Sequence, residues 1–330
     1  MYAYANQLGR FYDNVFAFQC QVDSLERSVE REGFPAAPHR LQLGLAIDGL
    51  MNEARSVEQR LEGADTLVDE TRSRFRRLTS EFFCRSGTIA RALQKPRGYA
   101  GDHGLLDMYY TDQRAPGGLD RVLDDVAHGT PAVRAVVNRK HYVVDWLGER
   151  LEQHPGSTVI DLACGPCRVE RDLFDRQRAF GARFVAADHD PEALAYAKRV
   201  LGRYAEEVCF AEENAIRIAR TRTFPDSFAG ARYIVSLGLF DYLRRPIAVS
   251  LLRTLRRGME PGGELLIGNF AEGNPTQTFM EWAADWRLIY RSAEDFLSMF
   301  FEAGFQPEDL TIEREVPKGG LVLMVTAKVQ

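Results

Sequence analysis

Three polar side chains stand where predicted strands end. Asp161 ends the first predicted strand, Asp188 directly follows the second, and Asn214 follows the third. In an open α/β sheet, the carboxyl ends of parallel strands meet at one edge, where ligands bind. A carboxylate there can accept hydrogen bonds from both ribose hydroxyls, and an amide oxygen can accept one from the amino group of adenine. The pattern therefore predicts a binding site for an adenosine-containing ligand.

The turn after the first strand is built from small residues. Ala163, Gly165 and Cys167 occupy the places where a dinucleotide-binding fingerprint requires glycine. Small side chains still let the backbone approach a ligand, and the helix that follows directs N–H groups at the same point. The pattern disfavours a pyrophosphate and favours S-adenosylmethionine (SAM), which carries no phosphate. Cys164 and Cys167 have no second pair at zinc spacing, so we interpret them as turn filling and predict no metal.

An alternating framework of strands and helices must position these residues. From Ser157 onward, strand patterns alternate with helical ones, which predicts a parallel sheet with helices on both faces. The link 317–320 has hairpin chemistry and adds an antiparallel edge. The predicted fold class is α/β, a Rossmann-like seven-stranded sheet whose last strand is antiparallel. The strands are predicted over residues 158–162, 183–187, 208–211, 231–236, 264–269, 311–315 and 321–328.

The first part of the chain has helical periodicity instead. Apolar side chains recur at helix-face spacing from Leu8 to Phe18 and again over 41–61. We expect residues 1–150 to form an all-helical region that acts as a lid, binds substrate or mediates dimerisation. We expect residues 151–330 to form the ligand-binding domain. The apolar helix faces predict a homodimer.

The composition and charge limit which classes of protein the sequence can represent. The chain has 330 residues, of which 45% are hydrophobic and 27% charged, as is ordinary for a globular protein. A net charge of −5 argues against nucleic acid as a partner. The sequence shows no signal-peptide pattern and no stretch of the roughly 20 apolar residues that cross a bilayer. We expect a cytoplasmic protein with reduced cysteines that binds neither nucleic acid nor membrane.

Residues 157–330 resemble class I SAM-dependent methyltransferases. The run from Asp161 to Cys167 is similar to the first motif of the family, although the family usually has glycine where Ala163 stands. Asp188 is similar to its ribose-binding acid, and the segment that ends at Leu239 resembles the one that flanks the transferred methyl group. The resemblance implies a SAM site that contains Asp161, Ala163, Gly165, Asp188, His189, Asn214, Ala215, Ser236, Gly238 and Leu239.

A narrower resemblance covers about residues 95–330. It rests on the octet KPRGYAGD at 95–102, on the pair Asn138-Arg139, and on the run WRLIYR that begins at Trp286. These look like a bacterial subgroup that includes methyltransferases forming quorum-sensing methyl esters of 3-hydroxy fatty acids. The subgroup also has members in secondary-metabolite pathways, so the resemblance implies a small-molecule acceptor without fixing which one.

Several residues are candidates for the remaining roles. We expect Arg97 or Arg139 to pair with the methionine carboxylate of SAM, because that group suits a bidentate cation. Tyr99 and Tyr290 are candidates to wall the transfer site, and His141 is a candidate general base. The residues proposed to bind the acceptor are Tyr99, Asp102, Tyr142, Trp286, Tyr290 and Arg291.

Each candidate also has a structural interpretation. Trp286 and Tyr290 are four apart on a predicted helix, so they could pack in the core, and Arg291 could cap the end of that helix. Asp102 could cap the helix that follows it. His141 could be an ordinary helix residue.

The function that these patterns favour is methyl transfer to a carboxylate or hydroxyl of a fatty-acid-like or secondary-metabolite acceptor. Alternatives are N- or C-methylation of an aromatic or heterocyclic metabolite, a catalytically silent SAM-binding regulatory subunit, and a nicotinamide-dependent reductase on the same sheet.

Overall fold

The computed structural model describes residues 2–33 and 36–330, with side chains from residue 8 onward. The helices are α1 Tyr2–Glu32, α2 Ala37–Arg60, α3 Asp65–Phe83, α4 Gly87–Gln94, α5 His103–Tyr110, α6 Gly118–His128, α7 Pro131–Gln153, α8 Arg168–Asp175, α9 Pro191–Leu201, α10 Ala215–Thr221, α11 Arg245–Gly258, α12 Gln277–Ala283 and α13 Ala293–Ala303. The strands are β1 Thr158–Leu162, β2 Arg183–Asp188, β3 Val208–Glu212, β4 Ala231–Ser236, β5 Glu264–Phe270, β6 Leu310–Arg314 and β7 Val322–Lys328.

Within these ranges the chain forms two compact units. The helical unit comprises Met1–Arg134 and Pro275–Arg287, and the sheet unit comprises Ala135–Asn274 and Leu288–Gln330. This division differs from the expected boundary near residue 150 in two ways. Most of α7 belongs with the sheet, and a segment from the second half of the sequence belongs with the helices.

The sheet unit has the predicted α/β architecture. Its seven strands follow the order β3-β2-β1-β4-β5-β7-β6 in the described part of the chain. Strands β1 to β5 are parallel, and β7 runs antiparallel to both of its neighbours. The strand order reverses at β1, which lies between β2 and β4 and is almost fully buried. The reversal opens a crevice at the carboxyl ends of β1 and β4, as in other doubly wound sheets.

Segment 275–287 is held in the helical unit by one aromatic side chain and several ion pairs. Trp282 is fully buried, and its ring packs edge-on against Phe11 at 5.3 Å and Phe75 at 5.4 Å. Its indole N–H donates to Glu58 Oε1 at 2.6 Å. The accompanying ion pairs are Arg72–Glu281 at 2.6 Å, Arg76–Asp285 at 3.3 Å and Lys95–Asp285 at 2.5 Å.

The helix expected across Trp286 and Tyr290 is wrong. Helix α12 ends at Ala283, and Asp285 adopts a left-handed conformation with φ 46°. Residues 285–290 are not helical, and Arg291 forms a parallel bridge with Ala271 just beyond β5. Arg291 therefore cannot cap that helix. Helices α4 and α6 lie within the stretch 1–150 that is predicted to be helical, whereas the short helix α12 was not predicted.

None of the helices in the described part of the chain combines the length and apolar character that crossing a membrane would require.

Trp282→Ala should destabilise the helical unit. Removing a fully buried indole leaves a cavity and removes one hydrogen bond to Glu58, so we expect the free energy of unfolding to fall by about 3–5 kcal/mol. Urea unfolding followed by circular dichroism measures this. The control Phe301→Ala removes an aromatic ring on α13 that is already 45% exposed and should cost about 1 kcal/mol. Equal costs for the two variants would contradict the anchoring role of Trp282.

Candidate functional site

The turn between β1 and α8 is tightly folded. Ala163, Gly165 and Cys167 all have left-handed backbones, with φ of 63°, 54° and 52°. The N–H groups of Ala163 and Cys164 both donate to the carbonyl of Ala187, at 2.8 and 3.1 Å. Left-handed conformations at residues other than glycine cost free energy and cluster at functional sites. The turn therefore stores strain at the carboxyl ends of β1 and β2.

Asp188 braces this turn from the end of β2. The side chain is buried, and its Oδ2 accepts a hydrogen bond from the backbone N–H of Gly165 at 3.2 Å. Its Oδ1 accepts one from Asp190 N at 3.0 Å and lies 3.3 Å from Nδ1 of the half-exposed His189. Each carboxylate oxygen can accept two hydrogen bonds, so Asp188 can hold the turn and still bind a hydroxyl.

A second carboxyl group lies against Asp161. Glu170, in the first turn of α8, is buried and hydrogen-bonded to the side chain of Asp161. Burial, together with the charges of Glu170 and Asp188, raises the pKa of Asp161 well above its usual range, and burial raises the pKa of Glu170. The pair therefore holds on to a proton. The sequence analysis missed Glu170, although its position two residues into a helix beside the first motif was a usable signal.

The predicted adenine-side residues begin α10. Asn214 caps this helix, with its Oδ1 accepting from Arg217 N at 3.0 Å, and Ala215 follows it in a buried position. The side-chain oxygen of Asn214 thus has one partner already and one lone pair left. The hydroxyl of Ser236 makes a structural hydrogen bond. It is buried, donates to the carbonyl of Leu162 at 2.8 Å and links β4 to β1.

Arg139 lies at the carboxyl end of β4. The side chain is buried, and a Cβ atom added to Gly238 would sit 3.0 Å from its Nη2, so the chain passes directly over the guanidinium there. Its Nη1 is 3.5 Å from Asp241 Oδ2, and its Nε has no hydrogen-bond partner among the described residues. Leu239 follows in the same loop and is partly buried. A buried guanidinium with an unused donor suits an anionic ligand group.

Asp241 balances this cation. Burial raises its pKa to about 6, against the opposing effect of Arg139. Its Oδ1 also accepts from Phe270 N at 2.6 Å, which joins the loop after β4 to the end of β5. The sequence analysis did not select Asp241, since nothing in its local pattern distinguished it from a surface acid.

Arg291 donates hydrogen bonds to backbone carbonyl groups of the sheet unit. The side chain is buried and donates to the carbonyls of Phe240 at 2.8 Å and Leu243 at 2.5 Å, and to the side chain of Asn269. These bonds lock the loop after β4 against β5. Such use of its donors argues against the expected contact with an acceptor.

Asp102 is likewise occupied within the helical unit. It is fully buried, pairs with Arg91 through two bonds of 2.7 and 2.9 Å, and caps α5 by accepting from Leu105 N at 2.8 Å. Capping of α5 is the structural role that the sequence suggested for Asp102. These bonds leave the carboxylate few free lone pairs with which to bind an acceptor. Arg97 and Tyr99 lie in the same loop and are partly buried.

His141 and Tyr142 line a separate cleft. This cleft, of about 500 Å³, lies between α7, the edge strand β6 and its neighbour β7. The hydroxyl of Tyr142 donates to Glu313, and burial raises the pKa of Tyr142 while it lowers that of His141. None of the residues that brace the turn after β1 is among those that line this cleft in the described structure. Geometry therefore gives no support to His141 as a base beside the SAM site.

Tyr290 and Arg139 both lie beside the ring of Phe270. Its hydroxyl accepts from Asn274 Nδ2 at 3.3 Å, and its ring packs edge-on against Phe270 at 6.4 Å. The guanidinium of Arg139 lies 5.8 Å from the same Phe270 ring. Trp286 is buried in the helical unit, where it stacks against Tyr109. In the described chain, no group of three or more His, Cys, Asp and Glu side chains could hold a metal ion.

One of three similar solved structures has a TM-score above 0.5 and agrees with the fold. A possible exported protein from Bordetella parapertussis superposes with a TM-score of 0.56 at 21% identity, over 69% of this chain and 79% of that one. A TehB-like SAM-dependent methyltransferase from Corynebacterium glutamicum gives 0.40 at 18% identity, over 58% and 88%. Human N-acetylserotonin methyltransferase in complex with SAM gives 0.44 at 14% identity, over 62% and 58%. Neither a protein-family model nor a curated protein sequence matches the chain.

The Asp161–Glu170 pair should make stability depend on pH. The folded state keeps a proton on this pair that the unfolded chain releases above about pH 4. The contribution of this pair to stability is therefore fully present below about pH 4 and is lost as pH rises through the raised folded pKa. We expect Asp161→Asn to flatten this decline at pH values above about 4, by up to about 1.4 kcal/mol per pH unit. Urea unfolding at constant ionic strength measures it.

The control for that experiment is Asp145→Asn. Asp145 is exposed on α7, and its change should leave the wild-type pH slope intact. Parallel slopes for wild type and Asp161→Asn would show that the pair carries no excess proton.

Proposed function

We propose that the sheet unit binds SAM and that the protein is a methyltransferase for a small-molecule acceptor. The observation that carries the proposal is the strained turn after β1, braced by the buried Asp188 at the point where strand order reverses. The predicted resemblance to class I methyltransferases names the same turn. A nicotinamide-dependent reductase is disfavoured because the turn lacks the glycines that admit a pyrophosphate.

The residues present fit SAM at each of its parts. Asp188 and His189 would hold the ribose, Asn214 and Ala215 the adenine, and the turn at Asp161, Ala163 and Gly165 the amino-acid end. Arg139 would pair with the carboxylate of that end through the donor it has unused, and Arg97 stays an alternative for this role. Gly238 would leave room over Arg139, since any larger residue would crowd the guanidinium.

The chain's own contribution to methyl transfer would be placement. SAM supplies an electrophilic methyl group on a sulfonium, and the reaction is an in-line displacement that depends chiefly on alignment. A carboxylate acceptor would need to be positioned without activation, whereas a hydroxyl, amine or carbon acceptor would call for a general base. Tyr290 and Tyr99 stay candidates for walls of the transfer site, and a fatty-acid-like or secondary-metabolite acceptor stays a proposal.

Ligand titrations can test the two ends of this site separately. We expect Asp188→Asn to weaken both S-adenosylhomocysteine and 5′-methylthioadenosine by about tenfold or more, because both carry the ribose. Arg139→Met should weaken S-adenosylhomocysteine by a similar factor and leave methylthioadenosine within about twofold, because that ligand lacks the carboxylate. Isothermal calorimetry measures all four affinities.

Asp145→Asn is the matched surface control in these titrations. Equal losses of both ligands in Arg139→Met would refute the carboxylate role of Arg139. Failure of wild type to bind either ligand would remove the whole proposal. If SAM binds but no acceptor panel consumes it, the chain is the catalytically silent SAM-binding subunit.

We also propose that the protein is a homodimer. Phe16 on α1 and Leu41 and Leu45 on α2 are each more than 60% exposed, and a dimer interface over these two helices would cover them. Light scattering at micromolar concentration should give about twice the mass of one chain, and a monomer under those conditions would contradict the proposal. The cytoplasmic location stays a prediction.

A further inference from the structure

Two buried carboxyl groups meet beside the turn after β1. Glu170 on α8 is 1% exposed and Asp161 on β1 is 4% exposed, and their side chains are hydrogen-bonded to each other. Ionised carboxylates only accept hydrogen bonds, so a bond between two carboxyl groups requires a proton on one of them. The pair therefore carries one proton and one negative charge.

The surroundings of the pair favour keeping that proton. Asp188, at the end of β2, is buried, and its charge acts on Asp161. The thiol of Cys167 hydrogen-bonds to Glu170 and also to Cys164. The bond to Cys164, together with burial, raises the pKa of the Cys167 thiol, so Cys167 adds no charge. A second carboxylate beside Asp188 would be repelled, and the proton avoids this.

One oxygen of Glu170 depends on the shared proton. In the described chain, Glu170 Oε2 receives no hydrogen bond from an N–H, hydroxyl or thiol group. Buried polar atoms are nearly always hydrogen-bonded, so this oxygen requires a donor. The proton held with Asp161 is one such donor. A cation that carries N–H groups is another, and it would also balance the charge.

The proposed function brings such a cation to this place. The amino-acid end of SAM carries an ammonium group, and we have proposed that the turn beginning at Asp161 holds that end. A positive charge beside a carboxyl group favours its ionised form. An ammonium group and the shared proton therefore compete for the same two carboxyl groups.

We propose that the Asp161–Glu170 pair exchanges its proton for the ammonium group of the ligand, so that ligand binding releases a proton to solvent. Before binding, one carboxyl group carries an O–H bond. On binding, that bond breaks, its electron pair stays on the oxygen, and two carboxylates face one cation. Glu170 is a positioning residue in this exchange, since it acts through Asp161. The inference rests on the proposed function for the place of the ligand.

The first test counts protons by isothermal calorimetry on the full chain. S-adenosylhomocysteine is titrated in buffers of different ionisation enthalpy at about pH 6, roughly two units above the ordinary pKa of a carboxyl group. We expect wild type to release about one proton more per ligand than the double variant Asp161→Asn/Glu170→Gln. That variant keeps the shape of the pair and has no carboxyl group to titrate there. Equal counts would overturn the proposal.

5′-Methylthioadenosine is the matched ligand, because it carries the adenosine and lacks the amino-acid end. We expect its proton count to be the same in wild type and in the double variant. Other titrating groups of the site, such as His189 and Asp241, cancel in this comparison because both proteins contain them. A difference as large as that with S-adenosylhomocysteine would show that the ammonium group is not the cause, and the exchange would be refuted.

Glu170→Gln alone tests the positioning role. It removes the charge and the carboxyl hydrogen bond that favour a proton on Asp161. We expect the release with S-adenosylhomocysteine to fall to at most about half of the wild-type value. Full release in this variant would mean that Asp161 acts alone and would overturn the role of the pair. The control Asp145→Asn, exposed on α7, should keep the wild-type count.

The pH dependence of affinity gives a second readout. Binding that releases one proton strengthens by up to about tenfold per pH unit. Between about pH 5 and 6, we expect the affinity of wild type for S-adenosylhomocysteine to rise at least about threefold more than that of the double variant. Binding of 5′-methylthioadenosine within about twofold of wild type shows that the variants are folded. Parallel pH dependences would contradict the exchange.

These measurements separate the exchange from the proposed function. If wild type binds S-adenosylhomocysteine and releases no more protons than the double variant, the SAM site stands and the exchange is refuted. If wild type does not bind S-adenosylhomocysteine, both are refuted.

Discussion

One carbonyl group, that of Ala187 at the end of β2, accepts hydrogen bonds from two successive N–H groups of the neighbouring turn. This shared acceptor forces the chain to fold back as soon as β1 ends, and the left-handed residues that follow are its consequence. Asp188 completes the arrangement by holding Gly165 from the same strand. The position of every proposed cofactor contact in the sheet unit depends on this junction, because β1 and β2 set where the crevice begins.

The two sides of that crevice carry different buried ionisable groups. Near β1 and β2 the buried acids Asp161 and Glu170 lie against each other, and burial keeps a proton on the pair. Near β4 the buried cation Arg139 faces Asp241, with one donor to spare. A zwitterionic amino-acid group has a positive and a negative end, and the two sides offer a match for each. This complementarity supports SAM more specifically than the sheet does.

The sequence predicted the strands well because buried parallel strands are short, continuous apolar runs bounded by turns. Asp188 could also be predicted, since its place follows from where a strand ends. The position of Glu170 also offered a signal, whereas the roles of Asp241 and Arg291 could not be predicted, because they depend on partners far along the chain. Asp102 shows the reverse error: a motif drew attention to a side chain that the fold uses for its own bonds.

The packing of Trp282 against Phe11 and Phe75 limits how the helical unit can be exchanged during evolution. The helical unit is encoded in two separate stretches of the gene, with part of the sheet unit between them. A single recombination event that exchanged the N-terminal helices between relatives would leave the old segment 275–287 facing new partners. Its indole and its ion-paired acids would then meet the wrong surfaces. Inheritance of a new helical unit therefore requires two coordinated exchanges, or slow drift in which both stretches change together.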